Sequence, residues 1–323
     1  MPSKTQLRLL GAALLAVACS HDANTSKSPA GDPTVNTPTP AGTDTAKQPE
    51  TVGRFDVAAV SPMSYPVRIA AAADDTIFVS DAVSNEVLGF RNGQVVVGLV
   101  GLDKPLGLAV SGDLLYVGNS GRADVEVYSL SAKKFVRTLG EPGDFAMPNA
   151  ISVAPDGVAY VVDSKKDTVR VFAADGTEQD AIGTTGAADG QFHFPSGVAA
   201  DADKVVVADQ GNHRVQIFDR EGGFVRTFGS ELAAARTVSD LKGKFNSIGG
   251  VTIVGDEIYV VESMHAFVQT FDENGESKGI FGKAGVCGTC SRMPLDVTVD
   301  SKGRVLATDP EQRRWVALST ERR

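Results

Sequence analysis

The chain has 323 residues, 42% of them hydrophobic, with 34 Gly and 15 Pro, enough for one large or two ordinary globular domains with a real core. Its 31 Lys and Arg stand against 40 Asp and Glu, a formal net charge of −9, which argues against a nucleic-acid footprint. Three Cys and four His leave little material for a metal cluster, and the abundance of Gly, Val and Asp argues against a helical bundle.

The chain opens with Lys4 and Arg8 ahead of a short apolar run, Leu9 to Ala18, that ends at Cys19. Such a run is too short to span about 30 Å of hydrocarbon as a helix, so residues 1–18 read as a signal peptide. The stretch Leu15-Ala16-Val17-Ala18-Cys19 resembles a bacterial lipobox, with Ala16 where Leu is commoner. That resemblance implies that Cys19 is diacylated and becomes the mature N-terminus, an anchor worth about 0.8 kcal/mol per buried CH2. Ser20 rather than Asp after the Cys implies sorting to the bacterial outer membrane, facing the periplasm or the cell exterior. Residues 19–50 are rich in Pro, Thr, Ser, Gly and Asp and are expected to be a lipidated, disordered tether. Residues 51–323 are then the folded domain.

Six segments recur in that domain, beginning near Pro66, Pro105, Pro148, Pro195, Ile248 and Pro294. The fourth is the clearest: Phe194 to Gly229 contains four β-rich stretches separated by Asp203, Gly211, Asn212 and Gly222, residues suited to turns. Four short strands per repeat with no intervening helix describe a propeller blade. The pattern, and Gly211-Asn212-His213-Arg214-Val215-Gln216-Ile217-Phe218 above all, resembles the NHL repeat family, with Arg214 where the Asn-His-Leu signature has Leu. The expected fold is therefore all-β: a six-bladed propeller of four-stranded antiparallel blades. The last repeat lacks residues for a fourth strand, and Phe55 to Val60 has no other place. This segment is expected to supply that outer strand and close the ring.

Counting two residues into each repeat puts Arg68, Gly107, Ala150, Gly197, Gly250 and Asp296 beside the axis, and their successors, from Ile69 to Val297, between sheets. Arg68 and Asp296 fall in the first and last blades, so an ion pair or a water-bridged contact across the channel is expected. A polar residue also closes the second strand of each repeat: Asp81, Asn119, Asp163, Asp209, Glu262 and Asp309. These are expected to cap turns.

Cys287 and Cys290 form an even pair that an exported setting would join as a disulfide, with thiol exchange as the sharper alternative. No three His residues share a blade phase, so no metal ligand set and no catalytic constellation is assigned. Related propeller enzymes imply zinc or calcium at the axis only under the alternative reading, a metal-dependent hydrolase or lyase. No cofactor is expected otherwise, and a non-catalytic role is favoured. The candidate binding face is Phe192, His193, Phe194, Asn212, His213 and Arg214, on loops between blades and between second and third strands. Expected partners are the membrane, through the lipid, and an envelope protein, peptide or other envelope component, for which the protein would act as a binding or scaffold lipoprotein.

Overall fold

The computed structural model describes residues 52–232, 238–282, 293–318 and 320–321. The expected lipidation site Cys19 and the expected disulfide of Cys287 and Cys290 lie outside them, as do the segments expected to be leader and tether. Among the described residues no helix is long and apolar enough to cross a membrane.

Six blades surround an axis. Their inner strands are Pro66–Ala71, Pro105–Ser111, Pro148–Val153, Pro195–Ala200, Ile248–Val254 and Val297–Val299, and each is followed outward by antiparallel neighbours. Second strands such as Lys204–Asp209 are apolar on both faces because a neighbouring blade covers each side; all but Lys204 are buried. Outer strands such as Phe224–Phe228 are largely exposed. This gradient of burial is the sequence gradient from continuous Val runs to alternating polar residues.

Second and third strands are joined by the same four-residue loop in all six blades, between the pairs Asp81↔Glu86, Asn119↔Asp124, Asp163↔Thr168, Asp209↔Arg214, Glu262↔Phe267 and Asp309↔Arg314. The last residue of each loop is left-handed and none is glycine: Asn85, Ala123, Asp167, His213, Ala266 and Arg313 have φ between 52° and 59°. The turn geometry is thus imposed by the hairpin, against the preference of Ala and Arg.

Among the described residues the blades are not uniformly four-stranded, and no strand joins the first and last blades in one sheet. Blades two and four have four strands, blades three and six have three, and blades one and five have five. The segment expected to complete blade six lies instead on blade one, where Arg54–Phe55 pairs with Val100 and Leu99. The cause is local. Asp56 caps a 3-10 turn at Val57–Ala59, its Oδ1 accepting from Ala58 N at 3.1 Å, so only two residues remain extended. Gly98 lets the turn lie flat, since a Cβ there would stand 2.3 Å from Val60 Cγ1. Phe55 then packs edge-on to Tyr128 of blade two, with ring centroids 6.0 Å apart. At the other end Thr320–Glu321 pairs with Phe281 and Ile280 on the outer edge of blade five. In blade three the stretch from Glu178 to Ile182 has no strand alternation and pairs with the third strand through the isolated bridges Phe172↔Glu178 and Val169↔Ile182, with Arg170 gripping Glu178 at 2.6 Å.

The ring is completed by packing. Six apolar clusters occupy the six interfaces, and Ile69, Leu108, Ile151, Val198, Val251 and Val297 each enter a different one. Between blades six and one, Leu306 packs with Ile69, Ile77 and Val79, and Trp315 flanks Phe90 at 6.1 Å.

Candidate functional site

The axis is the first place to look, because the inner strands pair only outward and leave one backbone edge facing it. Blade one sends Arg68 across this space. Its Nε donates to Asn149 O at 2.9 Å, its Nη2 to Asn149 Oδ1 at 3.0 Å and to Ser196 O at 2.5 Å, and its Nη1 to Asp296 Oδ1 at 3.3 Å. One guanidinium therefore ties blades one, three, four and six together. Asp296 Oδ2 accepts from Ile69 N at 3.0 Å. Gly250 makes room for that carboxylate, because a Cβ there would fall 1.6 Å from Asp296 Oδ1. Burial pushes the Asp296 carboxyl above its ordinary range, and the Arg68 charge pulls it back.

Beside this tie lies a cavity of about 170 Å³ whose walls include Ala70, Ala109, Ile151, Val198, Thr252 and Thr298. Each inner strand is buried at its beginning and partly exposed at its end, as in Pro66–Ala71 and Val297–Val299. The pit therefore opens on the lower face, where the inner strands end, and Arg68 forms its floor. The upper face is where they begin.

The polar residues that close the second strands are consumed by the backbone. Asp81 accepts from Ser64 N, Tyr65 N, Val83 N and Ser84 N, so one carboxylate fixes both the chain entering the inner strand and the turn after the second. Asp163 accepts from Ala146 N and Met147 N at 2.8 Å, and Glu262 from Asn246 N, Ser247 N and Met264 N. Asn119 Oδ1 takes Asp103 N, and Asp309 takes Gln312 N. Among the described residues no three His, Cys, Asp or Glu converge as a metal site would require.

The candidate binding face divides. Phe192 is fully buried against Phe218, ring centroids 5.6 Å apart, and belongs to the core between blades three and four. Asn212 Nδ2 donates to Gly186 O and Asp209 Oδ2, both at 2.9 Å. Arg214 donates to Asp209 Oδ2 at 2.8 Å and to the carbonyls of Ala188 and Gln191. These two side chains hold the loop before blade four in place. His193 is exposed while its N–H is held by Asp209 Oδ1 at 2.8 Å, and half-buried Phe194 has φ 48° with its N–H on Asp167 Oδ1. His213 takes the left-handed turn position, its Nδ1 enclosed without a hydrogen bond.

One recurring position escaped the sequence reading: the third residue of the third strand. Gln216 accepts Gly190 N and donates to Gln191 O, and Gln269 does the same for Gly243 N and Lys244 O, pinning the long loops of blades four and five. Blade two has Glu126 there. It is fully buried, Tyr128 Oη and Arg122 Nη2 (3.2 Å) donate to its Oε2, its Oε1 has no hydrogen-bond partner, and desolvation outweighs the pull of the Arg122 charge. Burial raises its pKa, so ionised Glu126 weighs against folding above that value and the cost disappears as both states protonate at low pH. Glu126→Gln is therefore expected to raise stability by about 1 kcal/mol at neutral pH, with the gain fading below about pH 4, as read by urea unfolding across pH.

Residues 192–218, which contain the inner and second strands and most of the third strand of blade four, match the NHL repeat. Brain tumor protein of Drosophila melanogaster is 37% identical to this chain over 136 residues, 42% of this chain and 12% of that protein. The B-box type zinc finger protein ncl-1 of Caenorhabditis elegans is 34% identical over 136 residues, covering 42% and 15% respectively. Mouse E3 ubiquitin-protein ligase TRIM32 is 26% identical over 160 residues, 46% of this chain and 23% of the ligase. The aligned part, under half of this chain, thus spans less than a quarter of each of these relatives. Among solved structures, virginiamycin B lyase from Staphylococcus aureus superposes with a TM-score of 0.59 at 13% identity, over 80% of this chain and 83% of the lyase. A Bacteroides thetaiotaomicron protein of unknown function gives 0.60 at 17% identity, over 81% and 70%. At such identities the likeness is one of fold.

Proposed function

We propose that the protein is a non-catalytic recognition scaffold of the bacterial cell envelope, exported and held to the outer membrane by acylated Cys19, whose propeller binds a protein, peptide or other envelope component. The observation that carries the reading is the use made of the recurring polar residues. Blade after blade, they accept backbone N–H groups and fix the loops, which suits a rigid presenting surface. The alignment of part of this chain with a small portion of much longer proteins supports a modular role. Residues 19–50, if extended, would let the domain stand well clear of the bilayer.

Crosslinking in intact cells, followed by mapping of the linked residues, tests this. Crosslinks to a partner that cluster on one propeller face support it; turnover of a substrate by purified protein that retains stoichiometric zinc or calcium overturns it. The anchor is tested separately. Cys19→Ser is expected to move the protein from the membrane to the soluble fraction, because the acyl chains supply the whole attachment of an acidic body; a variant that stays in the membrane fraction refutes the lipid assignment.

A further inference from the structure

The lower face bears a pit at its centre with carboxylates around it. Each of the six turns that leave an inner strand contributes at least one, as in Asp75, Asp113, Asp156, Asp203, Asp256 and Asp300. Most cations of this face are already engaged, Lys133 and Lys134 on the outer turn of blade two excepted. Lys302 pairs with Asp75 at 3.0 Å, Arg220 with Asp156 at 2.8 Å, Arg304 with Asp300 at 2.6 Å, and Lys278 with Asp272 at 2.6 Å. Lys204 is shared between Asp201 at 3.0 Å and Glu273 at 2.5 Å. Asp203 and Asp256, exposed on adjacent blades, form no ion pair among the described residues, so the excess charge at the mouth is negative. Low-dielectric walls around a charged rim focus that field into the opening.

The size of the pit decides what can enter. At about 170 Å³ it is well below the 300 Å³ or so of an ordinary small-molecule site. That is the scale of one extended side chain. At one level its walls combine the small side chains of Ala70, Ala109 and Ala199 with the hydroxyl residues Ser152, Thr252 and Thr298, and the exposed lining is mostly polar. Such walls leave small alkyl groups beside the methylene stem of a Lys or Arg and offer oxygen acceptors to its charged head. The floor is electrically balanced, since Arg68 is neutralised by Asp296, so the preference for a cation is set by the rim.

We propose that the lower face docks a Lys- or Arg-rich segment of a partner protein, with one basic side chain inserted into the axial pit and its neighbours met by the surrounding aspartates. The inference rests on the recognition reading above and names its partner class. It places the contact on the face opposite the loops of His193 and His213.

The test uses the full mature chain and fluorescein-labelled octalysine, with octaglutamate as control, followed by anisotropy. Octalysine is expected to bind at low salt and weaken as salt rises, while octaglutamate does not bind. Thr298→Trp fills the mouth without changing charge and is expected to cut octalysine affinity by about tenfold; Asp203→Asn with Asp256→Asn, which leaves the pit open, by about threefold. Should Thr298→Trp fail to fold by its melting curve, Thr252→Phe obstructs the same pit from blade five. Absence of octalysine binding overturns the proposal, and so does a pit-filled variant that binds as the wild type does, which would leave only a diffuse acidic surface. Natural crosslinks confined to the upper face, together with no octalysine binding, would sink this docking mode and leave the recognition reading standing.

Discussion

Arg68→Met is expected to destabilise the propeller by about 4 kcal/mol, enough to remove much of the margin of an ordinary domain. The methionine fills comparable space, so the loss is electrostatic. Asp296, almost wholly enclosed, is left with the N–H groups of Ile69 and Val297 and without its counter-charge, and the acceptors Asn149 O, Asn149 Oδ1 and Ser196 O lose their donor together. Because these groups belong to blades one, three, four and six, the ring loses a tie that no blade can replace locally. The sign of the pH response identifies the cause. Asp296 already has its pKa raised by burial, and removal of Arg68 raises it further. The penalty for keeping it ionised is full above that raised value and fades as pH falls through it, so the deficit of the variant relative to wild type should shrink between neutral pH and about pH 4. Asp296→Asn placed on top of Arg68→Met should recover part of the loss. Guanidinium unfolding at the two pH values measures both effects, and a deficit that is flat with pH and unrelieved by the second substitution would mean that lost packing, not the orphaned carboxylate, is responsible.

The blade count, the residues flanking the axis and the apolar inter-blade positions follow from the repeat, because a strand buried on both sides must be apolar at every position and does so in phase six times. The proximity of Arg68 to Asp296 follows from the same phase, since it needs only that first and last blades be neighbours. What Arg68 does beyond that does not follow: reaching Asn149 and Ser196 depends on the width of the channel, which no strand pattern encodes. The closure was misread for a physical reason. Pairing of Phe55 to Val60 with blade six satisfied an edge, but Asp56 stops the strand after two residues, and Tyr128 offers Phe55 an aromatic partner from blade two. A ring can also close without sharing a sheet when apolar faces meet, as Leu306 and Ile69 do. Among the candidate contact residues, the alternation that makes Phe192 an inner residue of its short strand was outweighed by its neighbours in sequence. Arg214 looked free because its partners, Ala188 and Gln191, come from a loop whose path the repeat does not specify.

Asp209→Ala should cost about 3 kcal/mol and should do so unevenly across the molecule. The carboxylate has no exposed surface and accepts from His193 N, Asn212 Nδ2, Arg214 Nε and Gln216 Nε2, so its removal leaves a cation with one-eighth of its side-chain surface exposed and three further donors to be satisfied by other means. All four donors also determine where the loop before blade four runs: His193 lies on it, and Asn212, Arg214 and Gln216 hold its carbonyls at Gly186, Ala188 and Gln191. Amide hydrogen exchange should therefore accelerate in residues 186–194 well before it does in the distant Leu114–Asn119 strand of blade two. Asp209→Asn separates charge from shape. Its carbonyl oxygen can keep His193 N, but its amide would turn donors toward the donors of Asn212, Arg214 and Gln216, so it should recover less than half of the loss. If Asn restores full stability and protection, the carboxylate serves as a neutral acceptor and the charge of Arg214 is irrelevant to the loop; if exchange rises equally in all blades, the residue supports the ring as a whole and the local latch does not exist.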